Sequence, residues 1–148
     1  MNSAMIMSSP HRDVLEATPD TDDSKARLVE ELQSRGRAAV GAKSWMDAKL
    51  LYEKALTVAV EDKVALLESN LSLVNKNMGN FEEARKCAEK ATEVDPKYVK
   101  GWWRLGQALQ SLHRSEEALD ALKKAKVLDP ANKALIKECQ KVAKKVEE

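Results

Sequence analysis

The chain repeats itself at an interval of 34 residues. Glu93-Val94-Asp95-Pro96 and Val127-Leu128-Asp129-Pro130 occupy matching places at that offset, as do Ser72 and Gly106, Ala84 and Ala118, and Ala91 and Ala125. An interval of this length, filled by apolar positions at helical spacing, fits paired helices stacked into a solenoid, because one pair cannot bury its apolar face alone.

A third copy precedes these two. Gly36, Ala48 and Ala55 stand 36 residues before Ser72, Ala84 and Ala91, and the steps within the copy are unchanged. The two additional residues are therefore expected between Ala55 and Ser72, in the connection from the first repeat to the second. Small residues at these recurring places let the backbones of a helical hairpin come close. Between them run apolar stripes, Trp102, Leu105, Leu109 and Leu112 on one segment and Ala118, Leu119, Leu122 and Ala125 on the next, which pack hairpin on hairpin. Ser44 and Asn80 precede Asp47 and Glu83 in the arrangement of a capping box, and Gly79 and the Asp-Pro pairs mark helix ends.

These residues, Trp102 with Leu105-Gly106, then Ala118, Leu122, Ala125 and Pro130, closely resemble the tetratricopeptide-repeat signature. The resemblance covers roughly residues 25 to 132 and implies an all-α, right-handed superhelical solenoid of three helix hairpins. The second copy departs from the pattern in having Glu68 where an aromatic residue or Leu is usual. The first lacks the closing proline, with Val60 in its place. Beyond the repeats, Leu135, Cys139, Val142 and Val146 fall on one face of a further helix with lysines opposite, the polar-backed helix that caps a solenoid end. The expected layout is a disordered tail over 1–23 and a repeat domain over 24–148. Its repeats lie at about 29–62, 65–98 and 99–132, with a capping helix at 132–147. The tail reading rests on Ser8, Ser9, Pro10, Thr18, Pro19 and several aspartates with little apolar periodicity.

Composition narrows the function. The formal net charge of +1, with acidic and basic residues mixed, gives no overall electrostatic support for nucleic acid or an anionic membrane as partner. No apolar run approaches the length of a membrane span. Met5-Ile6-Met7 is too short for a signal-peptide core, so a cytoplasmic location is expected. Cys87 and Cys139 are isolated and read as reduced core or cap residues. His11 and His113 have no catalytic neighbours and no glycine-rich phosphate loop occurs. The expectation is a monomeric binding protein, not an enzyme, with no cofactor and no metal.

In solenoids of this kind the first helices of successive hairpins line a concave groove. In the third repeat, removing the packing positions leaves Lys100, Trp103, Arg104, Gln107 and Ser111 facing it. The second repeat contributes Leu66, Ser69, Asn70, Leu73, Lys76 and Asn77, and the first Glu30, Gln33, Ser34 and Arg37. Amide and cationic donors thus converge on one surface, which suits a carboxylate. Ser69-Asn70, followed 30 residues later by Lys100-Gly101-Trp102-Trp103-Arg104, resembles the dicarboxylate clamp of chaperone-binding repeat domains. That group includes the Hsp70-Hsp90 organising proteins and the small glutamine-rich co-chaperones. The resemblance implies an adaptor that holds the acidic Glu-Glu-Val-Asp ending of heat-shock chaperones. It carries Asn70, Lys100 and Arg104 onto three of five clamp positions; the other two, Lys and Asn in the family, align with Gln33 and Arg37. Leu73, Trp103 and Gln107 complete the expected peptide-binding set.

Each of these residues has a structural alternative. Lys100, Arg104 and Arg37 could form a solvated face, Asn70 could bond between repeats, and Trp103 could pack on the neighbouring helix. The lysines of the last helix could touch a membrane surface, although its apolar face is mostly small. The whole domain could equally be a scaffold for an unrelated peptide or helix.

Overall fold

The structure, a computed structural model, describes residues 9–148, and all regular structure among them is helical. A single short turn, α1 (Arg12–Leu15), precedes seven longer helices: α2 (Asp22–Gly41), α3 (Trp45–Val58), α4 (Glu61–Asn77), α5 (Phe81–Val94), α6 (Val99–Ser111), α7 (Ser115–Leu128) and α8 (Lys133–Glu147). Helices α2 with α3, α4 with α5 and α6 with α7 form the three hairpins. Each hairpin packs on the next, α4 also touches α6, and α8 lies against α7.

Bulk is traded across each hairpin at one register. A Cβ on Gly36 would lie 2.6 Å from the Tyr52 ring, and one on Gly106 would lie 2.7 Å from Leu122, so a side chain at either position would have to push the facing one aside. In the middle repeat the facing residue is Ala88, and the freed space holds Ser72, whose hydroxyl donates to the Ala84 carbonyl at 2.8 Å. The hairpin turns repeat as well. Lys43, Gly79 and His113 all adopt positive φ, at 58°, 83° and 60°. The amide after each closes back on the preceding helix: Ser44 to Ala39, Asn80 to Asn75 and Arg114 to Leu109, at 2.8–2.9 Å. This is the left-handed helix ending that satisfies the last carbonyls.

Ser44 and Asn80 do occupy N-cap positions, but neither side chain makes a capping hydrogen bond. A reciprocal capping box forms instead between Thr21 and Ser24 at the start of α2. Asn132 caps α8 by accepting from the Leu135 amide at 3.1 Å.

The two additional residues of the first repeat are not spent as a longer connection. Only Ala59 and Val60 separate α3 from α4, whereas four residues separate α5 from α6 and α7 from α8. Helix α4 starts one turn early at Glu61, since Val60 does not impose the stop that Pro96 and Pro130 impose elsewhere. Glu61 and Asp62 in that turn complement the helix dipole.

The N-terminal segment departs from the expected tail. Residues 1–8 lie outside the described residues, but from Ser9 onward the chain is built onto the solenoid. Val14 and Leu15 of α1 are buried in the cluster formed by Leu32, Leu51, Tyr52, Leu67 and Val74. Asp13 and His11 reach Arg35 of α2. Helix α1 thereby covers the apolar flank of the first hairpin. At the other end Leu135, Cys139 and Val142 of α8 close a second cluster around Leu105, Leu109 and Leu122.

Candidate functional site

Helices α2, α4 and α6 present one side chain set to a common hollow of about 210 Å3, lined by Arg37, Val40, Tyr52, Asn70, Leu73 and Lys100. Four of the expected binding residues, Arg37, Asn70, Leu73 and Lys100, are thereby brought together, and no carboxylate lines the space. Arg37 and Lys100 are exposed, while Asn70 and Leu73 are half-buried. Tyr52 enters from α3 because Gly36 leaves room for its ring. Burial raises the pKa of its hydroxyl, and the charge of Arg37 works against that rise.

Arg104 stands one turn after Lys100 on α6 and is half-buried. One terminal nitrogen donates to Gln107 Oε1 at 2.9 Å, which fixes the guanidinium and holds Gln107 beside it. Its buried Nε has no partner. Burial lowers the pKa of Arg104, opposed by Tyr98 and Glu138. Among the described residues Arg37, Lys100 and Arg104 form no salt bridge, although eight such pairs exist elsewhere. A guanidinium that is partly desolvated and lacks an acidic partner is arranged to gain from an incoming anion.

Three expected groove residues lie elsewhere. Gln33 is buried and does not line the hollow. The early turn of α4 brings Asp62 and Lys63 to a hollow shared with Val29 and Glu30 of α2, and Gln33 does not line that hollow either. Ser69, expected on the same surface, is fully buried with an unpartnered hydroxyl. Trp103 turns to the capping helix: its indole nitrogen donates to Glu138 Oε2 at 2.5 Å, and Gln110 donates to the other carboxylate oxygen at 3.2 Å. Sequence reasoning missed Val40, Tyr52 and Glu138. Glu138 follows Asn70 and Arg104 at the same interval of 34, a signal that was present in the register.

Among the described residues no three His, Cys, Asp or Glu side chains gather as a metal site, and no helix is long and apolar enough to cross a membrane. The arrangement offers a cationic, amide-bearing hollow with an apolar floor, suited to recognising a carboxylate next to an apolar group.

Comparison with known proteins agrees with this fold. Residues 73–133 match the tetratricopeptide repeat family. The chain is 35% identical over 118 residues to the small glutamine-rich tetratricopeptide repeat-containing protein 2 of Mycosarcoma maydis, covering 80% of this chain and 32% of that protein. The protein of the same name in Saccharomyces cerevisiae is 30% identical over 132 residues, covering 88% of this chain and 38% of its own length. The chain thus spans about a third of the length of these curated relatives. Among solved structures, the Sgt2 TPR domain from Aspergillus fumigatus superposes with a TM-score of 0.77 at 32% identity, covering 81% of this chain and 80% of that domain. The myosin chaperone UNC-45 from C. elegans, solved in complex with an Hsp90 peptide, superposes with a TM-score of 0.73 at 30% identity, covering 80% of this chain and 14% of that one. On its repeats, its fold and these relatives, the chain belongs to the tetratricopeptide-repeat family, in close homology to the repeat domains of co-chaperones.

Proposed function

We propose that the chain is a non-enzymatic adaptor that captures the acidic C-terminal tail of heat-shock chaperones, of the Glu-Glu-Val-Asp type, in its concave hollow. The observation that carries this reading is the hollow lined by Arg37, Asn70 and Lys100 and by no carboxylate, with half-buried Arg104 one turn after Lys100 on α6. Lys100 and Arg104 bind one carboxylate, Asn70 and Arg37 bind a second, and Val40 and Leu73 take the apolar side chain between them. Relatives whose names or structures state chaperone binding support the assignment. The clamp is altered relative to its relatives. Gln33 contributes no donor because it is buried, and Arg37 supplies in its place a cation that reaches farther than an asparagine.

Calorimetric titration with a chaperone tail peptide, as free acid and as C-terminal amide, tests the reading. Saturable binding of the acid that weakens at least tenfold on amidation is the expected result. Equal affinity for both forms, or none at about 1 mM peptide, favours a scaffold for an unrelated segment; the buried Gln33 is the observation on that side.

A further inference from the structure

The strongest feature that the concave hollow does not use is the charge of the C-terminal end. Residues 121–148 hold eight lysines against four carboxylates, a local net charge of +4 in a chain whose total is +1. Among the described residues none of the eight is in a salt bridge. Of the four carboxylates, Glu138 is engaged by Trp103 and Gln110, and Asp129 accepts from Asn132.

Two of these lysines, Lys123 and Lys126, line a cleft. Between α7 and α8 lies a shallow space of about 150 Å3, lined by Leu119, Lys123, Lys126, Cys139, Gln140 and Ala143. Its floor is apolar and its α7 wall is cationic. Lys126 and Lys123 are close enough to act on the Cys139 thiol, whose pKa burial raises and they lower. On the other side Lys141 and Lys144 continue the surface past Gln140 and Ala143, with Glu147 at its far end. Lys133, Lys137, Lys141 and Lys144 follow one another along a single face of α8, spanning about 16 Å at the rise of a helix.

We propose that this cleft is a second docking surface, for an acidic segment of a partner protein that inserts one aliphatic side chain between flanking carboxylates. Charge complementarity selects the sign, and the volume and apolar floor select the side chain. The cleft is concave, and the apolar face of α8 is sealed against the solenoid, so a flat anionic bilayer meets the lysines but not the floor. Neither wall offers an arginine fork or an aromatic platform, the groups that nucleic acids engage through bidentate contacts and stacking. The surface is separate from the concave hollow and does not depend on the function proposed for it.

The test uses acetyl-Glu-Glu-Leu-Glu-Glu-amide, whose blocked end offers no terminal carboxylate to the concave hollow, and a control peptide with Gly at the centre. The expected result is saturable binding of the leucine peptide, at least tenfold weaker binding of the control, and loss of at least tenfold in Lys126→Glu and Lys141→Glu. Lys126→Gln and Lys141→Gln serve where charge reversal disturbs folding, with helicity checked by circular dichroism. Lys100→Ala should bind as the wild type does. Equal binding of both peptides, sensitivity to Lys100→Ala, or an absence of saturation overturns the proposal. Sedimentation with phosphatidylserine vesicles in the absence of peptide binding replaces it with a membrane contact.

Discussion

Asp13 and Arg35, far apart in sequence, meet in a two-point ion pair with nitrogen–oxygen distances of 2.8 and 2.9 Å. The same guanidinium holds Glu31 at 2.8 Å through Nε, so Arg35 is fixed from both sides. This pair sets the N-terminal turn in register on α2 and delivers Val14 and Leu15 to the core. The pair is exposed at Asp13, so burial rather than charge supplies most of the stabilisation.

Removing residues 1–18 should therefore destabilise the domain, as loss of a disordered tail would not. Leu15→Ala alone is expected to cost about 2 kcal/mol, as for other buried leucines. That corresponds to a fall of roughly 5 °C or more in the thermal midpoint, measured by circular dichroism. An unchanged midpoint in both variants would show that the turn does not cover the first hairpin in solution.

Glu68 is the misplaced group of the core. It is buried, its one cationic partner is Lys90 at 3.7 Å, and burial raises its pKa while Lys90 opposes the rise. A carboxyl whose folded pKa lies above its unfolded value stabilises most below the unfolded value, and that contribution is lost as pH rises through the folded one. Glu68→Leu should thus raise stability at neutral pH by about 1 kcal/mol or more. It should also flatten the decline in stability from pH 4.5 upward. Urea midpoints at pH 4.5 and pH 7.5 report both effects, and a variant less stable than wild type at pH 7.5 would contradict them. The neighbouring Cys87 thiol, raised to about 12 by burial and by Glu68, should remain unreactive toward alkylating reagents until the domain opens.

Three hairpin turns share one backbone conformation, and only one of them uses glycine. Lys43→Gly and His113→Gly should each stabilise the fold by about 1 kcal/mol by relieving the left-handed strain of a side chain, whereas Gly79→Ala should cost about as much. Denaturant midpoints should shift with unchanged slopes. The reverse order would mean that the Lys43 or His113 side chain makes a compensating contact.

The sequence made the solenoid legible because its period is fixed by contacts that recur. Gly36 with Tyr52, Ser72 with Ala84 and Ala88, and Gly106 with Leu122 solve the same crossing with different residues, so the small positions keep their spacing. Features without a repeat were harder to see. The turn at Arg12–Leu15 has no room for a helical period, and two adjacent apolar residues in a polar stretch give no directional signal. The added length before Ser72 was visible, but a count of residues does not say whether it enters a loop or a helix. The structure puts it into an extra turn of α4. Trp103 and Glu138 meet across 35 residues, a pairing set by how the capping helix docks rather than by any local pattern.

The clamp gives the last prediction, and here the structure reverses part of what alignment with the family implies. Lys100 and Arg104 are one turn apart, and each contributes a charge-assisted hydrogen bond of roughly 1.5 to 3 kcal/mol to a bound carboxylate. Lys100→Ala or Arg104→Ala should therefore weaken an acidic tail peptide about tenfold or more. Affinity should fall as salt rises. Arg104→Ala should not destabilise the free domain, because it removes a half-buried cation that has no acidic partner there. Gln33→Lys restores the family's residue and on alignment alone would tighten binding. In this chain the position is buried, so the variant should lose stability by burying an ammonium group and gain no affinity. Arg37→Ala should instead lose affinity with stability unchanged. Paired measurements of melting temperature and peptide affinity separate the two residues. If Gln33→Lys binds more tightly at an unaltered melting temperature, the first helix opens toward the groove, and Gln33 rather than Arg37 occupies the clamp.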